Sequence, residues 1–204
     1  MLTDYQIKTM AKKMDIPLAD VVFKTELPKK RLEYNKTYII NLEDETDENG
    51  KENEGTHYVF LQMNKYPNGE FAPIYFDSYG CIYPTIVGDI VKEYCNGMRL
   101  PYTTKDIQSI VSGMCGWFVL AMSFYINCFP HRTYDIYDDV GIFLSFFNDL
   151  SKSNDYKQNE YVLSQFFQPK NGAKRELDLG IREVVHKDIR DSENEIKELG
   201  NGFI

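Results

Sequence analysis

The stretch GMCGWFVLAMSFYINC, residues 113–128, contains the longest apolar run of this chain and decides its fold. Its large side chains recur at steps of three and four residues, which predicts a helix buried in the core. Gly113 and Gly116 give the backbone freedom at the point where an extended segment turns into that helix. Cys115 is therefore predicted at or near a helix N-terminus, where the helix dipole and free N–H groups favour a thiolate.

Shorter periodic segments surround this helix. Residues 3–16 carry apolar side chains at helical spacing, with Thr3 and Asp4 as candidate caps. The other predicted elements are strands over 18–24, 36–42, 57–64 and 72–76, a strand or extended segment over 106–111, and helices over 87–94 and 138–150.

The segments 57–64 and 72–76 are separated by the turn sequence Tyr-Pro-Asn-Gly, which predicts an antiparallel hairpin. His57 begins the first of these strands, and Asp77 directly follows the second. Antiparallel pairing brings the start of one strand beside the end of its partner. The spacing of the two residues therefore predicts that their side chains lie close together.

The length of 204 residues suits one domain with a substantial core. After residue 150 the chain becomes polar, and from residue 170 it is heavily charged. We interpret residues 151–204 as a charged helical extension or a partly disordered tail of the same domain as residues 1–150. The N-terminal sequence lacks the basic start and apolar core of a signal peptide, and no run is long enough to cross a membrane, so an intracellular protein is expected.

The chain is acidic, with a formal net charge of −8 and an isoelectric point near 5. Phosphate binding depends largely on Lys and Arg, so this balance argues against nonspecific binding of nucleic acid. The four cysteines form no CxxC pair, which argues against a structural zinc site and predicts free thiols in a reducing compartment. No metal or cofactor is expected.

Four residues in these segments are the parts of a nucleophilic site. Cys115 would be the thiol nucleophile, His57 its general base and Asp77 the carboxylate that orients the imidazole. The Cys115 backbone N–H and the Gln108 side-chain amide would stabilise an oxyanion. Gly116 would leave room for the backbone of a substrate beside the nucleophile.

Each of these residues also has an ordinary structural interpretation. A cysteine on an apolar helix is usually a small core residue, which is the interpretation favoured for Cys128. His57 alone could be a surface residue at a strand end, and Asp77 alone could cap a turn. It is the order His, Asp, Gln, Cys in these local contexts that favours a functional site.

The segments GTHY (55–58), YFDSYG (75–80) and 108–116 resemble the motifs of the adenovirus-type cysteine proteases. Those motifs are a His followed by an aromatic residue, an acid followed closely by an aromatic residue and Gly, and a Gln a short step ahead of Cys-Gly. Tyr58 stands where many members have Trp, and Asp77 stands where the adenovirus enzymes have Glu. Either ring can pack, and either carboxylate can orient an imidazole. The family belongs to the same clan as the SUMO-deconjugating proteases.

This resemblance implies an α+β fold, a papain-like variant in which a mixed, largely antiparallel sheet packs against a central helix that carries Cys115. Residues 1–150 would then form a cysteine protease domain with His57, Asp77, Gln108 and Cys115 as its catalytic set. Relatives in large DNA viruses process capsid proteins. The implied function is therefore a viral maturation endopeptidase, acting on virion precursor proteins in the host cytoplasm or virus factory and packaged in the virion. The resemblance allows for a peptide activator, whereas the acidic charge argues against activation by DNA.

Other functions use the same scaffold. An isopeptidase that removes a ubiquitin-like modifier would employ the same four residues, and acyl transfer to an amine could proceed from the same thioester. A catalytically silent relative could serve as a virion structural protein. The intact set of four residues argues against that last alternative.

Overall fold

The computed structural model describes residues 2–46, 50, 57–128 and 135–167. Five helices, four strands and one short 3-10 helix make up this part of the chain. In chain order they are α1 (Asp4–Lys13), β1 (Leu18–Phe23), the 3-10 helix (Leu27–Lys29), β2 (Thr37–Asn41), β3 (Tyr58–Lys65), β4 (Phe71–Phe76), α2 (Thr85–Tyr94), α3 (Cys115–Cys128), α4 (Ile136–Ser145) and α5 (Tyr156–Phe166).

The four strands form one sheet in the order β1-β2-β3-β4. β1 runs parallel to β2, whereas β2 with β3 and β3 with β4 pair antiparallel. The predicted α+β class with a mixed, largely antiparallel sheet is therefore confirmed. The predicted hairpin is β3 and β4, with Phe60 opposite Phe76 at the end that leads to His57 and Asp77.

Helix α3 lies at the centre of the molecule and packs against β3, α1, α4 and α5. Nearly all of its side chains are buried, as expected for a helix that is apolar all round. Its Trp117 is fully buried and meets the ring of Phe167 edge to face, with ring centroids 5.0 Å apart. The predicted central helix over 115–128 is thus present with the predicted bounds.

The sheet is covered on both faces, which explains why its middle strands are buried along their length. Phe60 and Ile74 face the core built around α3. Val59, Leu61 and Tyr75 face a second core beneath α2. Successive side chains of a strand point to opposite faces, so a strand with two covered faces has an almost continuous apolar sequence.

The helix predicted over 138–150 ends earlier than expected, because α4 stops at Ser145. Beyond it, the Asp149 carboxylate accepts hydrogen bonds from the amide and hydroxyl of Ser151, at 3.1 and 2.6 Å. Aspartate and serine favour such turns, since their side chains compete with helical backbone bonding. Residues 106–111, predicted as a strand or extended segment, form an irregular segment with a turn rather than a strand.

Helix α5 lies within the predicted extension over 151–204 and packs into the same core as α3. Its Leu163 is fully buried, and Phe167 just beyond it contacts Trp117. Residues 168–204 of that extension lie outside the described residues. Across the described residues, no helix has both the length and the apolar character needed to cross a bilayer.

Candidate active site

The β3–β4 hairpin brings His57 and Asp77 together. His57 directly precedes β3, Asp77 directly follows β4, and the two strands pair antiparallel at that end. The imidazole Nε2 lies 2.8 Å from the carboxylate Oδ1. Asp77 is only 1% exposed and the His57 side chain 13% exposed, so water weakens this contact little.

A tight turn holds the Asp77 carboxylate in this position. The backbone amide of Tyr79 donates to the same Oδ1 at 2.8 Å, and the amide of Gly80 donates to the Asp77 carbonyl at 2.9 Å. Gly80 adopts a φ of +69°, a conformation that favours glycine. A methyl group at Gly80 would also lie 2.6 Å from the carbonyl oxygen of Thr104. The turn therefore depends on glycine for both conformation and space.

Replacing Gly80 with alanine is expected to lower the free energy of unfolding by about 2–4 kcal/mol, because the strained conformation and the backbone clash add together. Gly69 offers a matched control, since its φ is +88° but no atom lies within 4 Å of an added methyl group. Gly69→Ala should cost only about 1–2 kcal/mol. Urea denaturation of the two variants tests this, and equal losses would contradict the close packing inferred at Gly80.

Cys115 is the first residue of α3. The amides of Trp117 and Phe118 both donate to the Met114 carbonyl, at 2.9 and 3.0 Å, so the first helical turn begins at the residue just before the cysteine. Backbone N–H groups in the first turn have no partner within their helix, and they favour negative charge nearby. The Cys115 amide therefore has no partner within α3, and the residue as a whole is 1% exposed.

Gly116 does not border an open cleft, so the expectation that it leaves room for a substrate was wrong. A methyl group there would lie 3.1 Å from Leu2 Cβ and 3.5 Å from Ile7 Cδ1. The missing side chain instead lets the N-terminal segment pack against the start of α3. Asp4 reinforces this packing by accepting a 2.5 Å hydrogen bond from the Tyr58 hydroxyl, next to His57.

The two ring nitrogens of His57 have different roles. An ionised carboxylate only accepts hydrogen bonds, so Nε2 carries the proton shared with Asp77 and Nδ1 is left for another group. Nδ1 is buried and makes no hydrogen bond of regular geometry with any described residue. Burial favours a lower pKa for His57, but hydrogen bonding to Asp77 and the interaction with Cys115 outweigh it and raise the pKa to about 9. The ring is thus poised to hold a proton beside the Cys115 sulfur.

Gln108 is close to the same centre, and its amide is fully hydrogen-bonded. Oε1 accepts from the Ser78 hydroxyl at 2.7 Å, while Nε2 donates to the Ser112 carbonyl at 2.5 Å and to the Tyr79 hydroxyl at 3.1 Å. A carbonyl cannot donate, so the Ser112 oxygen fixes which end of the amide is nitrogen. Both N–H groups of Gln108 are therefore engaged, and donation to an oxyanion would require one of them to change partner.

Tyr79, the aromatic residue after the acid in the YFDSYG motif, completes the site. Its ring stacks on the His57 imidazole with centroids 4.5 Å apart and an interplanar angle of 28°. Burial, followed by the electrostatic interaction with Cys115, raises the pKa of Tyr79 to about 12. Its position two residues after Asp77 could have indicated a place in the site, since the turn that orients Asp77 also orients the residues that follow it.

Helix α5 is hydrogen-bonded to the segment that leads to Cys115. Asn159 donates to the carbonyls of Ile107 and Asn148, at 2.9 and 2.8 Å. The next residue, Glu160, accepts from the Ser112 hydroxyl at 3.0 Å. No local sequence pattern pointed to these contacts, because they join residues about fifty positions apart.

The other three cysteines differ from Cys115 in their surroundings. Cys128 is exposed at the end of α3, so its interpretation as a core residue was wrong. Desolvation raises the pKa of Cys81, Cys95 and Cys128. Within the described ranges, no three His, Cys, Asp or Glu side chains are grouped closely enough to hold a metal ion. No family model matches this chain, and no curated protein sequence is significantly similar to it.

Proposed function

We propose that this protein is a cysteine peptidase with Cys115 as nucleophile and His57 as the proton carrier. The observation that carries the proposal is the imidazole of His57, bonded through Nε2 to buried Asp77 while the Cys115 side chain acts on the same ring. A thiol at a helix N-terminus beside a protonated imidazole is the environment that produces a reactive thiolate.

In the first half of the reaction, the Cys115 thiolate attacks the carbonyl carbon of a peptide bond and forms a C–S bond. The carbonyl oxygen becomes an oxyanion, which the Cys115 backbone N–H can stabilise at the start of α3. The intermediate collapses, the C–N bond breaks, and the His57 imidazolium gives its proton to the leaving amine. Asp77 holds the ring in the orientation that this transfer requires.

In the second half, water attacks the resulting thioester. Neutral His57 accepts a proton from the water, the C–S bond breaks, and the acid product leaves. The thiolate and imidazolium are then restored. No step requires a metal or an organic cofactor.

The resemblance to adenovirus-type proteases supports a more specific version of the proposal. In this version the protein is a viral maturation endopeptidase that cleaves virion precursor proteins in the infected host cell and is packaged with them. An isopeptidase acting on a ubiquitin-like modifier remains the competing enzyme, because both reactions use the same residues. A silent structural protein is the competing non-enzyme.

Mass-spectrometric detection of new peptide termini tests the proposal. A pool of unfolded proteins is incubated with the wild type or with Cys115→Ala, and we expect new N-termini only with the wild type. Cleavage confined to isopeptide-linked conjugates would replace the endopeptidase with an isopeptidase. Identical termini in both samples, together with an unreactive Cys115, would overturn the proposal in favour of a structural role.

A further inference from the structure

The hydrogen bonds around Gln108 raise the question of which group stabilises the oxyanion beside the Cys115 amide. Ser78 and Ser112 fix the orientation of the Gln108 amide, so that one N–H points at the Tyr79 oxygen. Tyr79 therefore accepts in this contact, and its own hydroxyl hydrogen must point elsewhere. Among the described residues, no acceptor takes that hydrogen.

The position of Tyr79 makes this hydrogen relevant to the chemistry. The ring lies over His57 at a centroid distance of 4.5 Å, on the same imidazole that serves Cys115. The turn from Asp77 to Gly80 fixes the backbone of Tyr79, and the Gln108 contact fixes its oxygen. The pKa of Tyr79 lies far above neutrality, at about 12, so the hydroxyl carries its proton at pH 7. A phenol held this way is an oriented donor that awaits an acceptor.

We propose that the Tyr79 hydroxyl donates a hydrogen bond to the oxyanion formed when Cys115 attacks a carbonyl, and that Gln108 is a positioning residue that holds the Tyr79 oxygen. This inference rests on the proposed function, since it assigns a role within the same reaction. The side-chain donor to the oxyanion is then the Tyr79 hydroxyl and not the Gln108 amide, which holds that hydroxyl in place. The Cys115 backbone N–H remains the second donor.

Two reactions of the same thiolate separate this role from a structural one. Iodoacetamide forms a C–S bond and releases iodide at a saturated carbon, so no oxyanion develops. With p-nitrophenyl acetate, the C–S bond forms at a carbonyl, an oxyanion develops, and p-nitrophenolate leaves as the acetyl group stays on sulfur. Both products are quantified at Cys115 by peptide mass spectrometry. Loss of an oxyanion donor should slow only the second reaction.

For Tyr79→Phe we expect acetylation of Cys115 to slow by about 10²-fold while its alkylation is unchanged. Phenylalanine keeps the ring over His57 and removes only the hydroxyl. The exposed Tyr161, which is 61% exposed on α5, provides the control variant Tyr161→Phe, for which both rates should match the wild type. The unchanged alkylation rate also verifies that the variant is folded around its nucleophile.

Gln108→Leu distinguishes the two candidate donors. We expect it to slow acetylation less than Tyr79→Phe does, because it frees the hydroxyl without removing it. Normal acetylation in Tyr79→Phe with strongly slowed acetylation in Gln108→Leu would make Gln108 the donor and overturn the inference. Equal slowing of both reactions in Tyr79→Phe would also overturn it, by assigning Tyr79 a structural role. If iodoacetamide alkylated Cys115 at the same rate in the wild type and in His57→Ala, the proposed function itself would be overturned.

Discussion

Cys115→Ala is expected to reduce peptide-bond cleavage to the background rate, a loss on the order of 10⁶-fold for a fully active enzyme. The substitution removes the only side chain that forms a covalent bond to the substrate in the proposed reaction. Alanine suits the buried start of α3, where the cysteine is 1% exposed, so the fold should persist. Cleavage of a peptide identified as a substrate, followed by chromatography, provides the measurement.

Cys81 supplies a matched control for this loss, because it is an exposed thiol that follows Asp77 by four residues. Cys81→Ala should cleave the same peptide at the wild-type rate. If Cys115→Ala retained activity while Cys81→Ala lost it, the nucleophile would have been assigned to the wrong thiol.

His57→Ala is expected to lower the rate of cleavage by about 10²–10⁴-fold, the usual contribution of a positioned acid–base group. It removes the proton that must reach the leaving amine and the charge that stabilises the thiolate. Stopped assays of the same peptide at pH 7 measure the effect, with circular dichroism to verify folding. A loss below about 10-fold would exclude His57 as the proton carrier.

The same residue sets the expected pH dependence. The pKa of His57 is raised to about 9, above its ordinary value, so the imidazolium persists below that pH and is lost as the pH rises through it. Activity that needs the imidazolium as a proton donor should therefore decline above about pH 9. A wild-type profile that keeps rising beyond pH 10 would contradict this assignment.

The site is assembled from two parts of the fold. His57 and Asp77 come from the β3–β4 hairpin, whereas Cys115 comes from α3 and Gln108 from the segment that precedes it. The hydrogen bonds of Gln108 to Ser78 and Tyr79 join the two parts directly. Gln108 thus links the hairpin that carries His57 to the segment that leads to Cys115.

Local sequence patterns predicted the elements that carry the site. The approach of His57 to Asp77 followed from antiparallel pairing alone, because a hairpin fixes which residues meet at its open end. The start of α3 at Cys115 followed from flanking glycines and an apolar helical run. Both inferences rest on contacts between residues near each other in sequence or in one hairpin.

Tertiary contacts explain what the sequence could not predict. The bracing of residues 107–112 by Asn159 and Glu160 joins a segment to a distant helix, and no periodicity encodes such a partner. Leu2 packs on Gly116, so the space that the sequence alone had reserved for a substrate is filled by the N-terminal segment. The full engagement of the Gln108 amide likewise depends on where Ser78, Tyr79 and Ser112 meet in three dimensions.

The rates at which iodoacetamide alkylates the four cysteines at pH 7 test the central claim most directly. Exposure alone predicts that Cys81 and Cys128 react first, since they are exposed whereas Cys95 and Cys115 are buried. Activation by His57 predicts instead that buried Cys115 reacts fastest in the wild type and falls behind both exposed thiols in His57→Ala. An order that follows exposure in both proteins would contradict an activated nucleophile at Cys115.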